Sequence, residues 1–189
     1  MSLQLLKHGA LALFIMMVAL AQSSSAQQNL SDIARLVRLE GSFGTEIPAK
    51  ADLPAEPIEP LIALGAVRIE ADSMGFHTRL WPSVEIVNKD AARTITEVLL
   101  RLDIYDEELR VLSRSIPLSE KVKAEPKASA SMSVRFAAIL PDRMLILIQI
   151  ASIKFADGSA WRPPVECSLA EDFKSLTCKS ISISNRPGH

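Results

Sequence analysis

From Leu64 onward the chain alternates apolar and polar side chains. Val67, Ile69 and Ala71 interleave with Arg68, Glu70 and Asp72, the period-two pattern of a strand with one face on a core and the other in water. A turn at 73–75 leads into a second strand over 76–87. There Pro82 predicts an edge position or a bulge, because proline cannot donate to a ladder. Asn88-Lys89-Asp90 supplies turn chemistry. Next, Thr94, Thr96, Val98, Leu100, Leu102 and Ile104 are expected on one face, with Glu97, Arg101 and Asp103 on the other. Residues 110–118 and 131–136 read as two further strands, the second pointing Met132, Val134 and Phe136 one way. The lysine-rich stretch 121–127 between them reads as an exposed loop. After a turn at Pro141-Asp142-Arg143, residues 144–155 are apolar on both faces for most of their length. Their four isoleucines argue against helix, where β-branched side chains lose rotamer freedom, and for a central strand covered on both sides at its start. Asp157-Gly158 gives a tight turn.

Upstream of Leu64 the period differs. Ser31 is placed to cap a short helix to about Glu40, with Ile33, Leu36 and Val37 on one face and Gly41 at its end. So short a helix must dock or fray. The stretch 48–60 holds four prolines and reads as an extended, semi-rigid linker. Six or seven short strands within about 100 residues, with no room for helical crossovers, predict an all-β, antiparallel two-sheet sandwich. The expected organisation is a leader over 1–26, the helix and proline-rich arm over 27–63, the sandwich over 64–165, and a tail over 166–189.

The leader changes the picture most. Met1–His8 carries one lysine, Gly9–Ala21 is a run of 13 small or apolar residues, and Gln22–Ala26 is polar and small. That order is a secretory signal peptide. The run falls short of the ~20 residues a spanning helix needs, so an uncleaved anchor is the weaker alternative. Cleavage sites fit after Ala21 and after Ala26, and the second leaves the usual polar spacer. The expected location is therefore secreted or periplasmic, with no stable membrane anchor after cleavage. No cysteine follows the apolar run to carry a lipid. Asn29-Leu30-Ser31 matches the glycosylation sequon. Loss of the leader leaves 20 basic and 22 acidic side chains, a balance that gives no electrostatic case for nucleic acid as a partner.

Export also bears on Cys167 and Cys178, the chain's two cysteines. In an oxidising compartment a lone pair most simply forms one disulfide, the alternative being two free thiols. A zinc site needs four ligands, and histidines are absent nearby.

The run Leu102-Asp103-Ile104-Tyr105-Asp106, the Asn-led turn before it and the start Thr94-Ile95-Thr96 resemble a bacterial envelope module named for its Phe-x-Leu-Tyr-Asp signature. Residues 153–161, from Ile153 to Trp161, are similar to segments of secreted proteins of that kind. The resemblance spans about residues 64–165 and implies an immunoglobulin- or fibronectin type III-like β-sandwich. It carries no catalytic residues to transfer.

Chemistry is sparse. Beyond the leader the histidines are His77 and His189, too few for a Ser-His-Asp or Cys-His arrangement that does not use His77. No zinc-protease motif, nucleophile elbow, phosphate loop or dinucleotide fingerprint is present. Asp103, Asp106, Glu107 and Glu108 crowd one turn but match no EF-hand spacing, and read as a solvated acidic turn. Trp81, Tyr105 and Trp161 are the candidate ligand contacts, since such rings offer flat apolar area with a polar handle; the competing reading makes the tryptophans plugs for the open ends of a core. No catalytic residue, metal or cofactor is expected. The function that follows is a non-enzymatic module acting by contact with an envelope protein, the alternative being a carbohydrate- or peptide-binding module using those aromatics.

Overall fold

In the computed structural model, the described residues are 32–48, 50–52, 61–74, 77–108, 110–141, 143–172 and 175–181. The expected signal peptide and cleavage site, the sequon, His189 and residues 53–60 of the proline-rich arm lie outside them. Each alternating segment is a strand, and nonlocal pairing joins them into one antiparallel curled sheet, an architecture consistent with a β-sandwich. Its path runs β7 (Val111–Ala124), β6 (Ile95–Tyr105), β10 (Arg143–Phe155), β1 (Ala34–Glu40), β2 (Phe43–Ile47), β4 (Ile62–Met74), β5 (His77–Asn88) and β8 (Ser129–Ser133). β9 (Phe136–Ala138) also pairs with β5, and β11 (Ala160–Trp161) with β10. A second sheet is built from β12 (Val165–Leu169), β13 (Ser175–Ser180) and β3 (Lys50–Asp52), the last pairing parallel to β13.

Residues 34–40 form a strand, which corrects the expected helix. β1 pairs with β10 from Ala34 opposite Gln149 to Glu40 opposite Arg143. It is flanked on its other edge by β2. A strand deep in a sheet buries both faces: Ala34, Leu36, Val37 and Leu39 are all buried, and such a short apolar run mimics helical spacing. The sandwich thus begins upstream of Leu64, and residues 50–52 of the expected linker are a sheet strand. Residues 121–124 of the expected loop belong to β7, with Val122 and Ala124 buried.

β10 is central, as its two-faced apolarity requires, and every residue from Met144 to Ile150 is buried. Its partner β6 buries Ile95, Val98, Leu100, Leu102 and Ile104. A register shift between Ile95 and Glu97 moves the buried face by one residue, so Thr96 is exposed rather than on the core face as expected. Pro82 marks neither an edge nor a bulge of its own strand. It sits opposite Ile69 inside β5, where the neighbouring strand is interrupted between β8 and β9 and Val134 N donates to the Pro82 carbonyl at 3.2 Å. The Asp157-Gly158 turn forms as expected, with Gly158 at φ 84°, a conformation costly for side chains with a Cβ.

The sheet folds at two places. β2 and β4 share a single register pair, Phe43 opposite Glu70. There Gly44 allows close approach: a Cβ would lie 2.7 Å from Val37 and 3.1 Å from Ile69. Side chains then replace ladder bonds, with Glu46 accepting from Val67 N at 2.9 Å and Arg35 donating to the Leu64 carbonyl at 2.7 Å. At the other place, β7 and β8, the two ends of the path, are joined through the turn 125–128. Asn88, 1% exposed, inserts there. Its Nδ2 donates to the carbonyls of Arg93, Ala124 and Glu125 at 2.8–3.1 Å.

Candidate functional site

The pleat of β2, β4, β5 and β8 leaves one polar, outward surface. Directly opposed residues of a sheet share a face, so Phe43, Glu70 and Trp81 form one row across β2, β4 and β5. Arg68, Ser83 and Ser133 form the next across β4, β5 and β8. Phe43 is 70% exposed. Trp81 is half-buried and lines a groove of about 400 Å³ with Arg68, Glu70, Ser83, Ser133 and Arg135. The Arg135 guanidinium lies 6.0 Å from the centre of the Trp81 ring. No carboxylate among the described residues lies within ion-pair distance of Arg68 or Arg135. Two cations without a carboxylate partner among the described residues, a flat ring and an exposed phenylalanine on one open surface can grip a partner by charge and by apolar contact.

Of the three aromatic residues singled out from the sequence, only Trp81 is at this surface. Tyr105 is buried, not exposed as a ligand contact would need, because β6 is covered on both faces from Leu102 to Tyr105. Trp161 pairs opposite Ile153 and packs against the core. Along β10, Tyr105 lies beside Leu145 and Trp161 beside Ile153, roughly 27 Å apart at strand rise. The rings do not converge, so they form no common ligand surface. Phe43, which joins Trp81, was hidden in the sequence because its segment lies beyond the expected helix.

The opposite outward surface, on β6 and β10, is covered by the second sheet. Cys167 and Cys178 face each other in register across β12 and β13 and are disulfide-bonded. The buried amide of Gln149 holds both backbone groups of Cys167, donating to its carbonyl at 2.9 Å and accepting from its N–H at 3.1 Å. Arg101 also donates to the Cys167 carbonyl, at 3.2 Å, and pairs with Asp103 and Glu166.

The acidic turn is not simply solvated. Asp103 and Asp106 are buried. Asp103 accepts from Ser115 N at 2.7 Å, where Ser115 has φ 56°. Asp106 accepts from Glu108 N, Arg110 N and Arg110 Nε at 2.6–2.9 Å. Burial raises the Asp106 pKa, but the Arg110 side chain and these N–H donors outweigh it and hold it below the usual range. Among the described residues no group of three His, Cys, Asp or Glu is placed to hold a metal. At the Asn88 corner, Asp90 accepts from Ala92 N and Arg93 N and from the Arg93 guanidinium. These bonds lower its pKa from 3.8 to about 2. Arg93 also lies over the Phe155 ring at 3.9 Å and donates to Ser159 Oγ, so the corner is a structural knot.

His77 is a β5 residue opposite Met74 in register. Among the described residues no helix is long and apolar enough to cross a membrane. A scan against protein-family models and a search of the curated proteins found no match.

Proposed function

We propose that this chain is a secreted or periplasmic, non-enzymatic module that works by contact with another envelope protein. The contact surface is the open face of β2, β4, β5 and β8. The observation that carries this reading is Phe43, 70% exposed and in one row with Trp81, on a sheet whose other outward face is covered. Large apolar side chains grouped on an open surface mark interaction sites, and aromatic and arginine side chains dominate interface energies. The disulfide suits an oxidising compartment, and the leader supplies the address. We also place the fold with the immunoglobulin- or fibronectin type III-like modules of the Phe-x-Leu-Tyr-Asp kind. The role of Asn88 in closing the corner between β7 and β8 supports that placement, as a physical reason for an Asn-led turn there.

A photo-crosslinking residue at position 43 or 81 tests the reading in the native host. It is expected to give a discrete protein adduct that Arg68→Glu and Arg135→Glu weaken together, while the same probe at Lys123 gives none. Equal adducts from all three positions, or none from any, would overturn the reading. Adducts to glycan alone would favour the carbohydrate-binding alternative, with Trp81 as its stacking ring.

A further inference from the structure

A second recess lies where the disulfide hairpin β12–β13 meets the large sheet. Its volume is about 470 Å³, and Leu99, Ile150, Val165 and Ile181 are its apolar lining. Its charges are answered within the fold or by water. Arg101 pairs with the buried Asp103 and with Glu166, and Arg162 is exposed at the rim. No ionic occupant is called for, and an uncharged apolar side chain suits the walls.

An unfinished ladder runs along the rim. The β12–β13 register, Val165 opposite Ser180 to Leu169 opposite Leu176, continues one step further, where Ile181 N donates to the Pro164 carbonyl at 2.7 Å. Hydrogen-bonded positions of an antiparallel pair recur at every second residue. The next such position sets Ile183 opposite Arg162. Between them Ser182 falls opposite Pro163, where the ladder asks for no N–H.

β11 leads to the same position from the other side. Trp161 lies opposite Ile153 of β10. Two places back, Phe155 N donates to the Ser159 carbonyl at 2.9 Å, so Trp161 is the residue whose backbone bonds to β10. The backbone N–H and C=O of Arg162 therefore point away from β10, and neither has a partner among the described residues. We propose that residues 182–184, which lie outside the described residues, extend β13 along Arg162 and lay Ile183 over the recess. Directly opposed and alternate residues share a face, so Ile183 falls on the face of Arg162 and Ile181, both in the lining. Only two residues separate it from Ile181. So short a tether keeps the segment at high effective concentration, and a modest apolar contact then suffices to hold it. The recess is thus closed by the chain itself, independently of the partner contact proposed for the open face.

Amide hydrogen exchange and methyl NOEs, measured on the mature chain through His189, test this extension. The Arg162 and Ile183 amides are expected to exchange at least about tenfold slower than in unstructured peptide. The Ile183 methyls are expected to show NOEs to those of Ile150 or Val165. Ending the chain after Ile181 is expected to return Arg162 to fast exchange. In the full chain, Ile183→Ser is expected to speed Arg162 several-fold, while Ser182→Ala leaves it unchanged. Thermal melts separate local opening from loss of fold; if the shortened chain does not fold, Ile183→Ser still decides. Fast exchange at Arg162 in the full chain, no NOE from Ile183 to the recess, or unchanged Arg162 exchange in folded Ile183→Ser would each overturn the proposal. So would decanol shifting the Leu99 and Ile150 methyl resonances equally in the full and shortened chains, since the recess would then be open to a free ligand.

Discussion

The two outward faces of this curled sheet are treated in opposite ways. On β6 and β10 the face is roofed by the disulfide-bonded hairpin, and β10 is buried on both sides from Met144 to Ile150. On β4 and β5 the face stays in water, and burial alternates with Arg68, Glu70 and Asp72 outside. The roofed face carries its polarity inward, as the buried Gln149, Asp103 and partly buried Arg101, each satisfied mainly by Cys167, Ser115 or Glu166. The open face carries Arg68 and Arg135 without such partners. The difference teaches which polar groups serve stability and which are free to meet another molecule. A buried polar group left unpaired costs far more than an exposed one.

The sharpest way to break the contrast is to remove the roof. Replacing Cys167 and Cys178 together with serine should cost about 2–5 kcal/mol, the usual loss for a native disulfide in a small exported domain. Urea unfolding under oxidising conditions measures it, and wild-type protein under reducing conditions should fall to nearly the same stability. A midpoint unmoved by either change would mean that the hairpin holds without its bridge.

Gln149→Ala comes next. It strips both backbone partners from Cys167 and should cost roughly 1–3 kcal/mol, the penalty for buried groups left unsatisfied. Hydrogen exchange should show the loss first in β12 and β13, because they are held by that amide. Uniform loss across β4 and β5 would contradict the division into two differently anchored faces.

The Asn88 corner belongs to neither face and gives a pH signature instead. The Asp90 carboxyl has a folded pKa of about 2, below its ordinary 3.8, because Ala92 N, Arg93 N and the Arg93 guanidinium favour the ionised form. Its contribution is full above about pH 4 and is lost as pH falls towards 2. Asp90→Asn should flatten that part of the stability profile, and an unchanged acid slope would remove the assignment.

The smallest effect on stability belongs to the open face. Phe43→Ser and Arg135→Ser should each move stability by under about 0.5 kcal/mol, as surface substitutions do. A much larger fall in the thermal midpoint would mean that this face is a structural element after all, and not a free surface.

Much of this was readable from residue order, and what was lost has identifiable causes. Strict alternation in 67–72 gave a strand and its inward side, because a sheet with one wet face writes its period into the chain, and Val98, Leu100, Leu102 and Ile104 gave the core side of β6. The two-faced run at 144–150 announced a central strand for the same reason. The helix expected near Leu36 failed because β1 is covered on both sides at Leu36 and Val37, and seven residues are too few for the two periods to separate. Thr96 was misplaced because a bulge shifts the face by one residue without altering composition. Of the candidate site, Trp81 was legible, while Tyr105 and Trp161 were not separable from it by residue type.

By itself the sequence determined the all-β class, the central strand and the availability of one cysteine pair, since each depends on local pattern or composition. Only the tertiary structure decided that β1 enters the sheet beside β10, and that Gln149 clasps Cys167. It alone placed Phe43 in a row with Trp81 and made a recess beside Arg162. Those outcomes depend on register between segments far apart in the chain, and a period-two pattern fixes which side a residue faces but not which strand lies beside it.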